Sequence, residues 1–500
     1  MTQVELFMKA KRILLAAMLT LVVVALNPKV TTGSDSEDPP NVLVILTDDQ
    51  GWADIGYNNR AVYSPNLDAL AEQSAVLEQH YVMPQCTPTR IALFTGRYPG
   101  RFGTTGLQAA NEPILPRGTL TLATMLRDHG YETAITGKWH LGSSPEHGPN
   151  HHGFSYSYGA LAGAVGAYVH QYRSPQFENP YSITWHRNHQ IIPGYENGKH
   201  VTELVTEDAV QFIKQPREEP FFLYLPYFAP HTPLDERGQF AKIQTQLDGD
   251  RPGRWLNEDR IRWFNDPEGL IQKEPDPEKR LFLAVIHHLD DAIGRVIEAL
   301  EQSGQRDNTI IFFSSDNGPQ VNWGGASYPT DRRLTDFNQA IPFRGSKTQV
   351  YEGGVRVPGL VSWPGHIDPK TIDSPRHIVD WLPTIAALTG SEAVVDPDQP
   401  SLDGEDFSAE LLGADKDPSP REIYLLHATR TNKWALRFGD WKIVAYVKRE
   451  PTEPDWQLFN LRDDPREASD VAESNPQIVS DLHRRFLSQR SKDKKTPNFP

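Results

Sequence analysis

Cysteine is all but missing from this chain: Cys86 is the one cysteine in 500 residues. An internal disulfide is therefore excluded in any compartment. A zinc site built on paired cysteines is excluded as well, and no Cys/His spacing of that kind takes its place. A basic excess is also lacking. The formal net charge is -15, which excludes a general nucleic-acid binder with the basic surface such proteins carry. An anionic small substrate stays open, because a local cluster of Lys, Arg and His overrides the global sign. No apolar run reaches membrane-spanning length. The run Ile13 to Leu26 covers 14 residues, against the ~20 that cross a bilayer. Internal repeats are absent too.

What remains is globular. The apolar share is 38 %, with 11 Trp, 17 Tyr and 21 Phe, and the length suffices for a large core and two domains. Lys9, Lys11 and Arg12 precede the apolar run, as in an export signal. Met8 as the start would bring these charges to the N-terminus. The expectation is a signal peptide over residues 1–30, or an N-terminal anchor if residues 13–26 stay uncleaved, since Val30-Thr31-Thr32-Gly33 is a poor cleavage site. A flexible acidic linker, residues 31–40, follows. The protein is then exported: periplasmic, secreted or lumenal, with a membrane partner only in the uncleaved form.

Asn41 to Thr47, Glu132 to Thr136, Pro220 to Phe228, Thr309 to Ser314 and Gly359 to Trp363 read as strands. Those at 41, 220 and 309 are continuously apolar, as strands buried on both faces are. Helical patterns lie between them, at 64–78, 118–130, 202–215, 276–303 and 380–388. The alternation predicts an α/β fold with a large, mostly parallel sheet flanked by helices, over 41–410. Residues 143–200 read as long loops with one helix at most, and 234–275 as an insertion. Four short strands with tight turns and a helix predict a small antiparallel sheet over 421–490, then a disordered tail, 491–500.

The polar residues that follow the strands share a position. Asp48, Asp49, Lys138, His140, His231, Asp316 and Asn317 all stand at carboxyl ends, where open α/β sheets build sites. Each cluster alone reads as a solvated turn; their shared position does not. Asp48, Asp49, Asp316 and Asn317 offer hard oxygen ligands, suited to Ca²⁺ or Mg²⁺ and not to zinc. Arg90, Lys138 and Lys347 bring positive charge, and His140 and His231 can move protons. Sulfuryl or phosphoryl transfer needs such a set around a nucleophile.

Cys86 precedes a short helix, with Thr87 expected at the N-cap, Pro88 at the first position and Gly96 as the C-cap. A structural buried thiol or a thiolate nucleophile fits that place. The segment Cys86-Thr87-Pro88-Thr89-Arg90 with Thr95-Gly96-Arg97 also resembles the signature of the type I sulfatases. Further shared stretches are TDDQGWADIG, GKWHLG, APHTP, SSDNGP, the Arg-Gly-x-Lys at 344–347 and EGGVRVP. Within that family the chain looks closest to the N-acetylgalactosamine-4-sulfatase (arylsulfatase B) type.

The resemblance implies an alkaline-phosphatase-like sulfatase fold and hydrolysis of sulfate esters of a sulfated carbohydrate, of the N-acetylgalactosamine- or galactose-sulfate kind, or of aryl sulfates. It implies that Cys86 is converted to formylglycine (3-oxoalanine) by a formylglycine-generating enzyme. It also implies one Ca²⁺, in preference to Mg²⁺, on Asp48, Asp49, Asp316, Asn317 and the modified Cys86. Arg90 and Lys138 would position the hydrate, one hydroxyl of which attacks sulfur. His231 and Lys347 would hold sulfate and assist departure of the alcohol, and His140 would deprotonate the second hydroxyl. The family's Gly-Phe-Asp is Gly153-Phe154-Ser155 here, so substrate specificity does not carry over. His151 and His152 before it are candidates for sulfate or sugar contacts, as are Trp255, Trp263 and Trp323 for stacking. A phosphomono- or phosphodiesterase of the same superfamily, or a non-catalytic glycan-binding relative, are the alternatives.

Overall fold

The computed structural model describes residues 38–106, 114–167, 184–192, 199–232, 234, 269–271, 273–275, 277–320, 343–415, 418–428, 431–448 and 454–495. The N-terminal segment, most of the 234–275 insertion, and Trp255, Trp263 and Trp323 lie outside these residues. No helix among the described residues is long and apolar enough to cross a membrane. Residues 39–500 form one compact unit.

Its centre is a run of parallel strands. Strand β1 (Asn41–Thr47) pairs in parallel with both the Phe221–Pro226 and the Thr309–Ser315 strands. The Phe221–Pro226 strand pairs in parallel with Glu132–Lys138, and that one with Tyr156–Ala160. Every residue of β1 is buried, which is why its apolar run shows no alternation. The two faces nevertheless feed separate cores. Val42, Val44 and Leu46 join one hydrophobic cluster, and Leu43 and Ile45 the other. Helix α1 (Pro65–Glu72) supplies Leu67 and Leu70 to the second cluster. Helix α2 (Cys86–Thr95) lies on the first, through Ile91, Leu93 and Phe94. Helix α3 (Leu122–Asp128) joins α2 on that face. Helices α4 (Val201–Lys214) and α5 (Pro277–Gln302) cover the opposite face.

The sheet is larger and more mixed than the sequence pattern implies. The Gly359–Ser362 strand runs antiparallel to Thr309–Ser315. Beyond it, Ala75–Leu77 and Lys370–Ile372 extend that edge. Ala75–Leu77 was expected as the end of a helix. That helix stops at Glu72 instead, because the edge of the sheet offers this segment a full set of backbone partners and β-branched Val76 suits a strand. At the other edge Tyr156–Ala160, Trp185–Arg187 and Gln190–Ile191 add three strands in a region expected to be loops. They are only two to five residues long, too short for a periodicity to show.

The C-terminal strands Glu422–Ala428, Thr431–Phe438, Trp441–Lys448 and Gln457–Asn460 form the expected antiparallel sheet. The final helix, Pro476–Arg490, packs on it through Leu482 and Phe486. This sheet shares the first cluster with α2. Residues 491–495, expected as the start of a disordered tail, are held in place. The Asp493 carboxylate accepts hydrogen bonds from Tyr424 (2.7 Å) and Arg101, and the Lys494 N–H donates to Gly100 O at 3.0 Å. Charge pairing with Arg101, a long-range partner, outweighs the polar local composition.

A buried ion cluster fastens the C-terminal sheet to the rest. Lys442 Nζ lies 2.8 Å from Glu352 Oε1 and 3.0 Å from Glu467 Oε1, and all three side chains are fully buried. Tyr81 donates to Glu352 at 2.6 Å. Removing one member leaves an uncompensated buried charge. Lys442→Met is expected to cost about 3–5 kcal/mol of stability in urea unfolding; a loss under about 1 kcal/mol would show that the cluster does not fasten the sheet.

Candidate active site

The carboxyl ends of three strands and the first turn of α2 converge. Asp48 and Asp49 follow β1, Asp316 and Asn317 follow the Thr309–Ser315 strand, and Lys138 ends the Glu132–Lys138 strand. Adjacent strand ends are held in step: Asp316 N donates to Thr47 O at 3.0 Å, and Asp48 N to Ala229 O at 3.1 Å. Helix α2 begins two residues earlier than expected, with Gln85 as its N-cap and Cys86 as its first residue. Thr89 N already donates to Gln85 O at 3.1 Å, so Pro88 is the third helical residue. There too a missing N–H costs nothing. Gly96 closes the helix with φ 60°.

Each cation of the site faces one carboxylate. Lys138 Nζ lies 2.5 Å from Asp48 Oδ2. Arg90 donates to Asp316 Oδ2 at 2.7 Å and to Lys138 O and Tyr224 OH at 3.0 Å. Lys347 Nζ reaches both oxygens of Asp49, at 2.7 and 2.8 Å. Asn317 Nδ2 also donates to Asp49 Oδ1, at 2.7 Å. His231 Nε2 stands 3.7 Å from Asp49 Oδ2, while its Nδ1 lies 2.5 Å from Thr232 O. The Lys347 loop is tied to the Cys86 loop, since Thr348 N donates to Pro84 O at 2.6 Å. Asp49, His140 and Thr348 all have left-handed backbones, at φ 67°, 61° and 69°. Non-glycine residues hold that conformation only where their surroundings over-determine it.

Burial sets the protonation of the site. It pushes the Asp48 carboxyl well up, and nearby Asp316 adds to this. Burial also acts to raise Asp49, but Lys347 and His231 outweigh it and hold that carboxyl down at about 2. The Cys86 thiol is pushed up by burial, so it stays protonated. Burial and the surrounding cations keep His140 neutral; burial and Lys347 keep His231 neutral too, its pKa down at about 3.

The donor set suits a hard divalent cation. Ligand atoms of Asp48, Cys86 and Asp316 lie within 4.8 Å of one another, as do those of Asp48, Asp49 and His231. Asp48 Oδ1 and Asn317 Oδ1 are buried without a hydrogen-bond partner. Two orphaned oxygens among clustered carboxylates are costly unless a cation takes them. The chain thus brings together Asp48, Asp49, Cys86, Arg90, Lys138, Asp316, Asn317, His231 and Lys347. His140 joins them across α2, where its C=O accepts from Thr87 Oγ1 at 3.5 Å. His152 stands apart: it is buried, stacked on Trp139 with centroids 5.6 Å apart, and no described contact joins it to the cluster. His151 packs near His189 instead. Two further histidines, His287 and His288 of α5, are engaged elsewhere, with His288 Nε2 3.0 Å from Glu203 Oε1 and His287 against Tyr63.

Sequence reasoning missed Gly163. A Cβ there would lie 2.0 Å from His140 Nε2, so the glycine forms the floor on which the imidazole rests. It also missed His427, whose Nε2 lies 2.9 Å from Gln85 Oε1 next to Cys86. Neither carries a motif; contacts that distant along the chain leave no local signal.

A family model for sulfatases matches residues 40–391. The chain belongs to the sulfatase family. It is a sulfuric ester hydrolase. Among curated relatives it is similar to arylsulfatase J of Mus musculus, 29% identical over 94% of this chain and 78% of that one. It is also similar to the N-acetylgalactosamine-6-O-sulfatase of Bacteroides thetaiotaomicron, 28% identical over 90% and 93% of the two chains. Human N-acetylgalactosamine-6-sulfatase is 30% identical over 76% of this chain and 67% of its own length. Among solved structures, Ps i-CgsB in complex with k-i-k-neocarrahexaose superposes with a TM-score of 0.74 at 29% identity, over 92% of this chain and 95% of that one. The sulfatase neighbours share the expected fold. The relatives do not single out the 4-sulfatases.

Proposed function

We propose that this sulfatase is exported and acts on a sulfated carbohydrate of the N-acetylgalactosamine- or galactose-sulfate kind, with Cys86 matured to formylglycine by a formylglycine-generating enzyme and one Ca²⁺ bound beside it. The observation that carries the reading is the placement of Cys86. Its thiol is buried and protonated, a poor nucleophile as cysteine, yet it sits within 4.8 Å of carboxylate oxygens of Asp48 and Asp316. The relatives named for N-acetylgalactosamine-6-sulfate and the carrageenan-oligosaccharide complex support the substrate class.

The aldehyde hydrate supplies an oxygen nucleophile and a second hydroxyl for the release of sulfate. Asp48, Asp49, Asp316 and Asn317 would hold the ion, which lowers the charge on the sulfate oxygens. The rest is the work of side chains. Lys138 and Lys347 hold the anionic oxygens, and Arg90 keeps Asp316 and the Lys138 carbonyl in place. His140, neutral in its buried setting, takes a proton from the hydroxyl. His231, with Nδ1 turned to Thr232 O, presents Nε2 towards the leaving alcohol; the sulfate anion beside it favours its protonated form.

The test is the mass of the peptide that carries residue 86, in protein made with a maturating enzyme. The aldehyde mass should be found, and such protein should hydrolyse sulfate esters far faster than matched phosphate esters. Protein carrying only cysteine, yet fully active, would refute the maturation; equal or better phosphate turnover would move the chain to the esterase alternative. Calcium has its own readout. After chelation, added Ca²⁺ is expected to raise the thermal midpoint by about 5 °C, more than Mg²⁺ does, and Asp48→Asn should abolish the rise.

A further inference from the structure

The acid–base set of the site is balanced: Arg90 faces Asp316, Lys138 faces Asp48, and Lys347 faces Asp49. Beside it, one further cation, Lys433, has no such partner among the described residues. Lys433 belongs to the Thr431–Phe438 strand of the C-terminal sheet and is cross-strand from His427. Its Nζ donates to Thr348 O at 2.6 Å and lies 3.4 Å from Thr348 Oγ1. Thr348 follows Lys347 directly, and its N–H holds Pro84, two residues before Cys86. His427, the cross-strand neighbour, reaches Gln85. Lys433 therefore touches the Lys347 loop directly and is one residue, Thr348 or His427, removed from the Cys86 loop.

Three facts make this ammonium more than a fastening. It is half-buried, and among the described residues no carboxylate lies in its reach. A desolvated cation without an anion is costly, and a lysine held only for packing gains nothing from its charge. Burial accordingly lowers its pKa, with no acid opposing the shift. It uses one sure donor on Thr348 O, so donors of its three remain for another group. Lys433, Thr348 and the adjacent Ala428 are all part-exposed, so that a ligand can reach it.

We infer that Lys433 receives a second anionic group of the substrate, a sulfate or a carboxylate carried on the sugar next to the scissile ester. The inference rests on the sulfated-carbohydrate reading above and narrows it to polyanionic glycans. Lys433 would select among substrates and leave the chemistry at residue 86 alone. It binds the far charge while Lys347, next to its anchor Thr348, binds the reacting one.

The test compares kcat/KM on four probes: an aryl monosulfate, a monosulfated disaccharide, and two matched disaccharides, one bearing a second sulfate and one a uronate carboxylate. Wild type, Lys433→Met and Lys433→Arg are made in matured form. Lys433→Met is expected to lose about 10-fold or more on one dianionic probe, chiefly in KM, and less than about 3-fold on the monoanionic ones. Lys433→Arg should keep the preference. Whichever dianionic probe is affected names the group, sulfate or carboxylate. An equal loss on all probes overturns the inference, because Lys433 then only positions the Lys347 loop. No loss on any probe overturns it as well. If matured wild type hydrolyses the aryl sulfate but no carbohydrate, the carbohydrate reading itself has failed, and this inference with it.

Discussion

Cys86→Ala is expected to remove essentially all sulfatase turnover, a fall in kcat of about 10⁴-fold or more, with the fold unchanged. The side chain is small and buried at 2 % exposure, and among the described residues it donates to no partner that alanine would strand. Loss of one sulfur from the first turn of α2 leaves Gln85 as the N-cap and the Ile91–Leu93–Phe94 face intact. The thermal midpoint should therefore stay near that of the unmatured wild type. Cys86→Ser is the sharper variant. A serine hydroxyl can attack once, but it has no second hydroxyl for His140 to deprotonate. Preparations of this variant in which residue 86 is still serine by mass should release alcohol in at most one equivalent and then stop. A Cys86→Ala protein that retains steady-state turnover would refute the role of residue 86. Sustained turnover by Cys86→Ser would refute the need for a hydrate.

Gly163→Ala should be nearly as damaging, for a reason of packing alone. Its Cβ would meet His140 Nε2 at 2.0 Å, Cε1 at 2.3 Å and Cδ2 at 2.4 Å. No heavy atoms approach so closely, so the ring must leave its place. His140 cannot yield by an easy backbone adjustment. Its own φ is 61°, its N–H is committed to Leu161 O at 3.1 Å, and its C=O takes Thr87. The side chain must rotate, and a displacement of an ångström at a reacting group costs about 10²-fold in rate. The expected loss is of that size in kcat with KM changed little, because His140 acts on the reacting hydroxyl and the substrate is held by others. If Gly163→Ala keeps wild-type kcat, the imidazole does not need that floor. A loss confined to KM would mean that Gly163 borders the sugar instead.

Much of this organisation was open to a reader of the chain. Buried parallel strands announce themselves as continuous apolar runs, because both faces must be dry. The polar turn at the end of each run is local, and so is the cap chemistry of Gly96. The segment around Cys86 is long enough to carry the family by itself. For these reasons Asp48, Asp49, Cys86, Arg90, Lys138, Asp316, Asn317, His231 and Lys347 could be named before any coordinates, and the structure brings them together. His152 shows what a motif does not carry: its stack on Trp139 is visible only in the fold.

What only the tertiary structure decided depends on partners far apart along the chain. The direction of the Gly359–Ser362 strand depends on how it meets Thr309–Ser315, and an apolar run has no arrow. The three short strands at the Tyr156 edge exist because the sheet offers them backbone partners. Gly163 matters because His140, 23 positions away, lies on it. Lys433 and His427 matter because a separate sheet packs its hairpin against the loops of Pro84 and Thr348. Sequence determines which residues carry chemistry, through local composition. Which of them meet, and at what distance, is set by packing and charge pairing between segments that sequence holds apart.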